Sequence, residues 1–192
     1  SISEYQQIIE KPAKAAGLTF EVNNDGTSLA TVIREDSEAQ PGALPLVEFC
    51  LDELFRITEA TEDAQLLLTF HAYNEVLGGL AGSITQRAES VVVNLKQQGI
   101  DVKQHLPTLF NALVQVNPDN QHEAATARNI HADFFADNQA IQPIIEALIK
   151  SRLITVSDKK LRIAHETLIH NWQRIQQWLA MDKEFQMFKA RI

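Results

Sequence analysis

The chain has 192 residues, 45% of them hydrophobic, enough for one domain or two small ones around a real core. No apolar run reaches the roughly 18 residues that a membrane-spanning helix requires. The net charge of −8 is uneven: residues 1–98 hold 6 Lys and Arg against 15 Asp and Glu, whereas residues 99–192 hold 11 against 10, which points to two units with different surfaces and argues against nucleic-acid binding by the first.

Ser1-Ile-Ser-Glu-Tyr has neither the basic nor the apolar region of a signal peptide. Ser3 is placed to cap a helix starting near Glu4, with Tyr5, Ile8 and Ile9 on one face; Pro12 is predicted to interrupt or kink it and Gly17 to end it. Asn23-Asn24-Asp25-Gly26 is a turn cluster, Leu29, Val32 and Ile33 form a short apolar face, and Glu38-Ala-Gln-Pro41-Gly42 is a loop. Leu44-Pro45 opens a helix, with proline where a missing N–H costs least. Its stripe is Leu46, Val47, Cys50, Leu51, Leu54 and Phe55. Cys50 is the single cysteine, so an internal disulfide is excluded; among these neighbours it reads as a buried thiol, in keeping with a reducing, cytoplasmic setting. A short helix is predicted over Thr69–Val76, broken by Gly78-Gly79, and a longer one follows to about Gln98, packing Ile84, Ala88, Val91, Val92 and Leu95, before Gly99 stops it. The first half therefore reads as a helical bundle without strands.

The second half has a different pattern. A helix around Lys103–Val114 packs Leu106, Leu109, Phe110 and Leu113, and Asn117-Pro-Asp-Asn-Gln121 is a loop. Asp137-Asn138 is placed to cap a helix with Pro143 in its first turns and the stripe Ile141, Ile144, Ile145, Leu148, Ile149. Leu153–Ser157 and Lys160–Ala164 are strand-like runs around an Asp158-Lys159 turn, a β-hairpin. One final amphipathic helix carries Leu168, Trp172, Ile175 and Leu179. Three helices and then a two-stranded wing is the winged-helix order. The predicted fold is mainly α: a helical bundle over 1–98, then over 99–192 a winged-helix domain with a small β-hairpin wing and the start of a C-terminal linker helix.

Chemical motifs are few. His165-Glu166-Thr-Leu-Ile-His170 differs from the zinc-protease pattern by one residue of spacing. On a helix, histidines at i and i+4 lie about 40° apart and can share a metal, whereas i and i+5 lie about 140° apart and cannot. The remaining histidines (71, 105, 122, 131) form no ligand-spaced cluster, so no metal site is predicted. There is no Gly-x-Ser-x-Gly and no Gly-x-x-x-x-Gly-Lys-Ser/Thr. Gly78-Gly79-Leu-Ala-Gly82 has neither a preceding strand nor a lysine and reads as a tight helix–helix turn. Lys150, Arg152, Lys159, Lys160 and Arg162 make a modest basic patch on the third helix and wing, the basis of an alternative reading as a DNA-binding module or anion patch; their bland reading is solvated surface.

Three stretches, taken in order, resemble the STAND signalling NTPases, the P-loop ATPase group that includes NB-ARC and NLR proteins. Pro41-Gly42-Ala43-Leu44-Pro45-Leu46-Val47-Glu48-Phe49 is similar to their Gly-x-Pro segment. Tyr73-Asn-Glu-Val-Leu-Gly78-Gly79-Leu-Ala-Gly-Ser-Ile-Thr-Gln-Arg-Ala88-Glu89 resembles a Tyr…Gly-Gly…Ala-Glu stretch of the bacterial branch often fused to WD40 repeats. Ser151-Arg152-Leu153-Ile154, then Ala164-His165-Glu166-Thr167-Leu168-Ile169-His170-Asn171-Trp172 and Trp178-Leu179, resembles its C-terminal signature. The opening Ile9-Glu-Lys-Pro12-Ala13…Gly17 fits too, so the resemblance spans nearly the whole chain.

The resemblance implies a regulatory lid: a helical domain and a winged-helix domain that close over nucleotide held by an AAA+-like ATPase core. It implies that Pro45 packs near the adenine, that His165 matches the histidine of the Met-His-Asp motif reaching the β-phosphate of bound ADP, and that Glu166 matches the acid after it. The bland reading of His165 is a histidine satisfied inside the wing–helix junction. His170 stands where the family has arginine, and Ala127-Arg128 where an Arg pair is common, which puts any anion contact of those arginines in doubt. Neither Walker motif occurs within the 192 residues, and the resemblance places both before residue 1. The expectation is thus a piece of a longer cytoplasmic chain, ending in a linker helix around Phe185–Ile192, without catalysis or cofactor of its own. ATP or ADP with Mg belongs to the parent. The partners implied are the upstream P-loop core and a downstream repeat or sensor domain of the same chain, not a membrane or nucleic acid, with oligomerisation on activation. A plain protein-interaction scaffold built on the acidic bundle is a third reading.

Overall fold

A computed structural model of the chain describes residues 2–39, 43–60, 66–116 and 125–189. The side chain of Tyr5, the Pro41-Gly42 loop, the Asn117–Gln121 loop with His122, and the last residues of the Phe185–Ile192 stretch lie outside the described residues or side chains. The described part is mainly helical with small sheets of two or three strands. It divides into two compact units, Ser1–Gln86 and Arg87–Ile192.

In the first unit, helix α1 (Ile2–Ala15) runs through Pro12 without interruption. Pro12 lies one turn from the helix end with its ring exposed, and the single ladder bond it cannot donate, to the Ile8 carbonyl, does not break the helix. Gly17, at φ 75°, then caps the helix, its N–H donating to the Lys14 carbonyl and that of Leu18 to Ala13. Strand β1 (Thr19–Phe20) follows. Helix α2 (Leu29–Glu38) starts at Ser28, whose hydroxyl accepts from the Ala30 N–H, and buries Leu29, Ala30 and Ile33. Helix α3 (Leu44–Ala60) buries Leu46, Val47, Cys50 and Leu54 as the spacing predicts, and adds Phe49; Leu51 and Phe55 are only partly covered. Cys50 is fully buried, and desolvation pushes its thiol pKa far up, so it is packing rather than chemistry.

The strandless expectation for this half is corrected. β1 pairs in parallel with β2 (Leu67–Leu68), Thr19 opposite Leu67 and Phe20 opposite Leu68. The Glu21 carboxylate extends the link by accepting from the Phe70 N–H at 2.6 Å. A π-helical turn, Ala72–Leu77, occupies most of the predicted Thr69–Val76 helix and ends at Gly78. Helix α4 (Gly79–Gln97) begins directly after it and ends before Gly99, which adopts φ 79°.

In the second unit, α5 (Val102–Leu113) is capped by Asp101, whose carboxylate accepts from Lys103 and Gln104 N–H groups. Two strands unforeseen in the sequence follow: β3 (Val114–Gln115) pairs antiparallel with β4 (Thr126–Ala127). Strand β5 (Ile130–His131) leads into a 3₁₀ turn, Ala132–Phe135. Helix α6 (Gln142–Lys150) buries Ile144, Ile145 and Leu148. Asp137 and Asn138 do not cap it: its N-cap is Ile141, without a side-chain bond, because the chain turns tightly through Ile141 N–H to the Asn138 carbonyl. The Gln142 amide instead donates to the Phe135 carbonyl.

The hairpin stands as predicted, β6 (Ile154–Ser157) antiparallel to β7 (Lys160–Ile163). Asp158 and Lys159 sit at φ 50° and 59°, the left-handed pair that matches the natural twist of a two-residue hairpin. β5 adds to the other edge of β7, giving the order β5-β7-β6. The predicted final helix is two helices, α7 (Thr167–Asn171) and α8 (Gln173–Lys189), broken at Trp172. Buried Phe110 and Trp172 and partly buried Trp178 pack together here. Trp172 meets Phe110 edge-on at 5.4 Å between centroids, and Trp178 stacks on Phe110 at 5.9 Å.

Candidate functional site: the His165 turn

His165 lies between the end of β7 and the start of α7, in a turn rather than on a helix. The turn is pinned on both sides. The Ala164 N–H donates to the Leu153 carbonyl at 2.9 Å, and the His165 carbonyl accepts from the Leu168 N–H at 3.0 Å. His165 is partly buried, and desolvation lowers its pKa below the ordinary 6.5. Burial thus favours the neutral ring, which has one N–H donor and one acceptor nitrogen. His170, exposed in the last turn of α7, belongs to a different surface position. Among the described residues no three His, Cys, Asp or Glu side chains gather as a metal ion needs.

Glu166 is exposed, and its carboxylate accepts from the Ala127 N–H at 3.3 Å, tying the turn to β4. The neighbouring Arg128 is committed as well: its N–H donates to the Leu113 carbonyl and its Nε to that of Ala112, 2.7 and 2.8 Å. The two residues at the arginine-pair position thus brace the site from the backbone outward.

Pro45 is the second residue of α3 in the first unit, with its ring exposed. Of the five cations, Lys160 and Arg162 alternate with buried Leu161 and Ile163, so they share the exposed face of β7; His131 stands opposite Lys160 in the register. Lys159 is in the turn, Lys150 ends α6, and Arg152 follows at φ 58°. All five are exposed.

Several motif residues are architectural. Gly78 and Gly79 both adopt left-handed φ, 72° and 76°, and a Cβ on Gly82 would stand 1.8 Å from the Leu77 carbonyl oxygen, so the glycine-rich run is a tight turn. Tyr73 is buried and donates its hydroxyl to Asp36 at 2.5 Å; burial first, then that bond, push its pKa up. Glu89 accepts from Trp172 Nε1 at 2.7 Å and, in a fork, from Arg174 Nε and Nη2 at 2.7 and 2.9 Å. The hydrogen bond from Arg174 holds the Glu89 carboxyl below its usual range. The sequence offered Glu89 only as a motif letter and Trp172 as a motif letter and a stripe residue, and gave no reason to single out Arg174.

No curated protein and no solved structure matches the chain. A family model described as Novel STAND NTPase 1 matches residues 1–192. Since that match covers every residue, from the Pro12 segment through the His165 turn, the chain belongs to the Novel STAND NTPase 1 family.

Proposed function

We propose that this region is the regulatory lid of a STAND-type signal-transduction NTPase, sensing bound nucleotide and coupling the ADP or ATP state to domain opening. It works by movement and catalyses nothing itself. The nucleotide and its Mg are held by a P-loop core of the same cytoplasmic protein, and a repeat or sensor domain supplies the signal. The observation that carries the reading is the His165 turn. A partly exposed imidazole on a backbone held by hydrogen bonds on both flanks, with burial favouring its neutral form, carries an N–H suited to a phosphate oxygen. Family membership and the exposed ring of Pro45 at the opening of α3 support it, as does the three-stranded sheet with its hairpin after α6, which suits a winged-helix domain.

Losing one hydrogen bond to a charged group costs about 1.5–3 kcal/mol, so His165→Ala in the parent NTPase accelerates ADP release roughly ten- to hundred-fold and raises basal signalling. An unchanged ADP off-rate sinks the reading. A second reading, binding of nucleic acid, draws on Lys160 and Arg162 sharing one exposed face of β7. It requires salt-sensitive DNA affinity that disappears when Lys159, Lys160 and Arg162 are neutralised, and a low-salt gel assay without a shift removes it.

A further inference from the structure

The α7–α8 break has no proline or glycine behind it: Thr167–Met181 contains neither, and the stripe Leu168, Trp172, Ile175, Leu179 has the spacing of one continuous helix. Yet Trp172 sits at φ −81°, ψ 107°, outside helical space. Two side chains occupy what a continuous helix would need. The Gln176 amide donates to the Ile169 carbonyl, the acceptor that a continuous ladder would offer to the Gln173 N–H. Glu89 takes Trp172 on one side of the break and Arg174 on the other.

The geometry makes break and clamp interdependent. Residues two apart on a helix point about 200° apart around the axis, so one carboxylate could not receive both Trp172 and Arg174 if the helix were continuous. With the break, both reach the same side chain 83 and 85 residues away in sequence. Local pattern and tertiary contact ask for different backbones at one residue, which is the condition for a two-state element.

We propose that α7–α8 is such an element, kinked or continuous, and that Glu89 selects the kinked form by accepting from Trp172 and Arg174 together. The inference is independent of what His165 binds. It adds to that reading only this: because the Leu168 N–H donates to the His165 carbonyl, straightening α7–α8 would re-aim the His165 turn.

The test uses this chain without nucleotide, so its failure is separate from failure of the ADP reading. The Cα chemical shift of residue 172 is measured by NMR in the unaltered chain, in Glu89→Leu, and in the double variant Trp172→Phe, Arg174→Leu, which removes the donors but keeps a ring against Phe110. In the unaltered chain the secondary shift is negative, as for extended backbone. In both variants it becomes positive, and amides 173–175 gain protection from hydrogen exchange. A folded variant of either kind that keeps the negative shift overturns the proposal. Loss of fold in both overturns it equally, since a clamp that only chooses between two packed forms is removable without unfolding.

Discussion

Gly82→Ala reverses the usual sign of a helix substitution. Within a helix, replacing glycine by alanine is favourable by about 1 kcal/mol, because alanine has less backbone freedom to lose. Gly82 lies in the first turn of α4, so propensity alone predicts a more stable protein. The structure predicts the opposite. A Cβ there would stand 1.8 Å from the Leu77 carbonyl oxygen and 2.8 Å from its carbon, and both atoms are backbone at the close of the π-helical turn. A flexible side-chain tip would yield cheaply. A carbonyl in a turn fixed by two left-handed glycines does not, and forcing extra atoms into packed surroundings costs about 1–3 kcal/mol or more. With 1.8 Å placing the clash at the upper end of that range and the propensity gain subtracted, the net loss is about 2 kcal/mol, or a fall of several degrees in Tm for a chain of this length. Urea unfolding followed by far-UV ellipticity measures it. A useful comparison is Gly99→Ala, where a Cβ meets open space and only the left-handed φ of 79° opposes alanine, at about 1–2 kcal/mol. A Gly82→Ala protein as stable as the unaltered chain, or more so, would refute the close approach.

Two further outcomes follow from buried groups. Tyr73→Phe removes the bond to Asp36 and keeps the ring, and should cost about 1–2 kcal/mol in urea unfolding; no loss would mean that the hydroxyl bond contributes nothing. His165 titrates below its ordinary value in the folded chain, so between the folded pKa and 6.5 the unfolded state binds more protons. Its contribution is therefore intact above pH 6.5, is lost as pH falls through that window, and is constant below it. His165→Gln should flatten this segment of the stability–pH curve, and an unchanged slope would count against burial as the cause.

What the sequence made legible was local. The hairpin was readable because Asp158-Lys159 separates two alternating runs, and both turn residues take the conformation that such a turn requires. The stripes of α3, α5 and α6 were readable because burial follows the helical period. The missed elements depend on distant partners. β1 and β2 have two residues each, too few to show alternation, and pair across an interval in which α2 and α3 lie. β5 is two residues added to a hairpin edge. Asp137-Asn138 looked like a cap because the residue types fit, but the preceding 3₁₀ turn had already set where α6 could begin.

The same distinction sorts the family signature. Tyr73, Gly78, Gly79, Gly82, Glu89 and Trp172 are each accounted for inside this chain, by a bond to Asp36, by left-handed turns and a backbone approach, and by the clamp at the helix break. In this chain these six residues therefore serve its architecture. Pro45, His165 and Glu166 are different in kind. Pro45 turns its ring to solvent, His165 is held by its backbone with the imidazole part-exposed, and Glu166 spends one carboxylate oxygen on bracing that turn. Exposed and part-exposed residues on turns and helix starts are the kind placed to meet something outside their unit. For a nucleotide contact, the ADP off-rate of His165→Ala therefore weighs more than any further likeness in sequence.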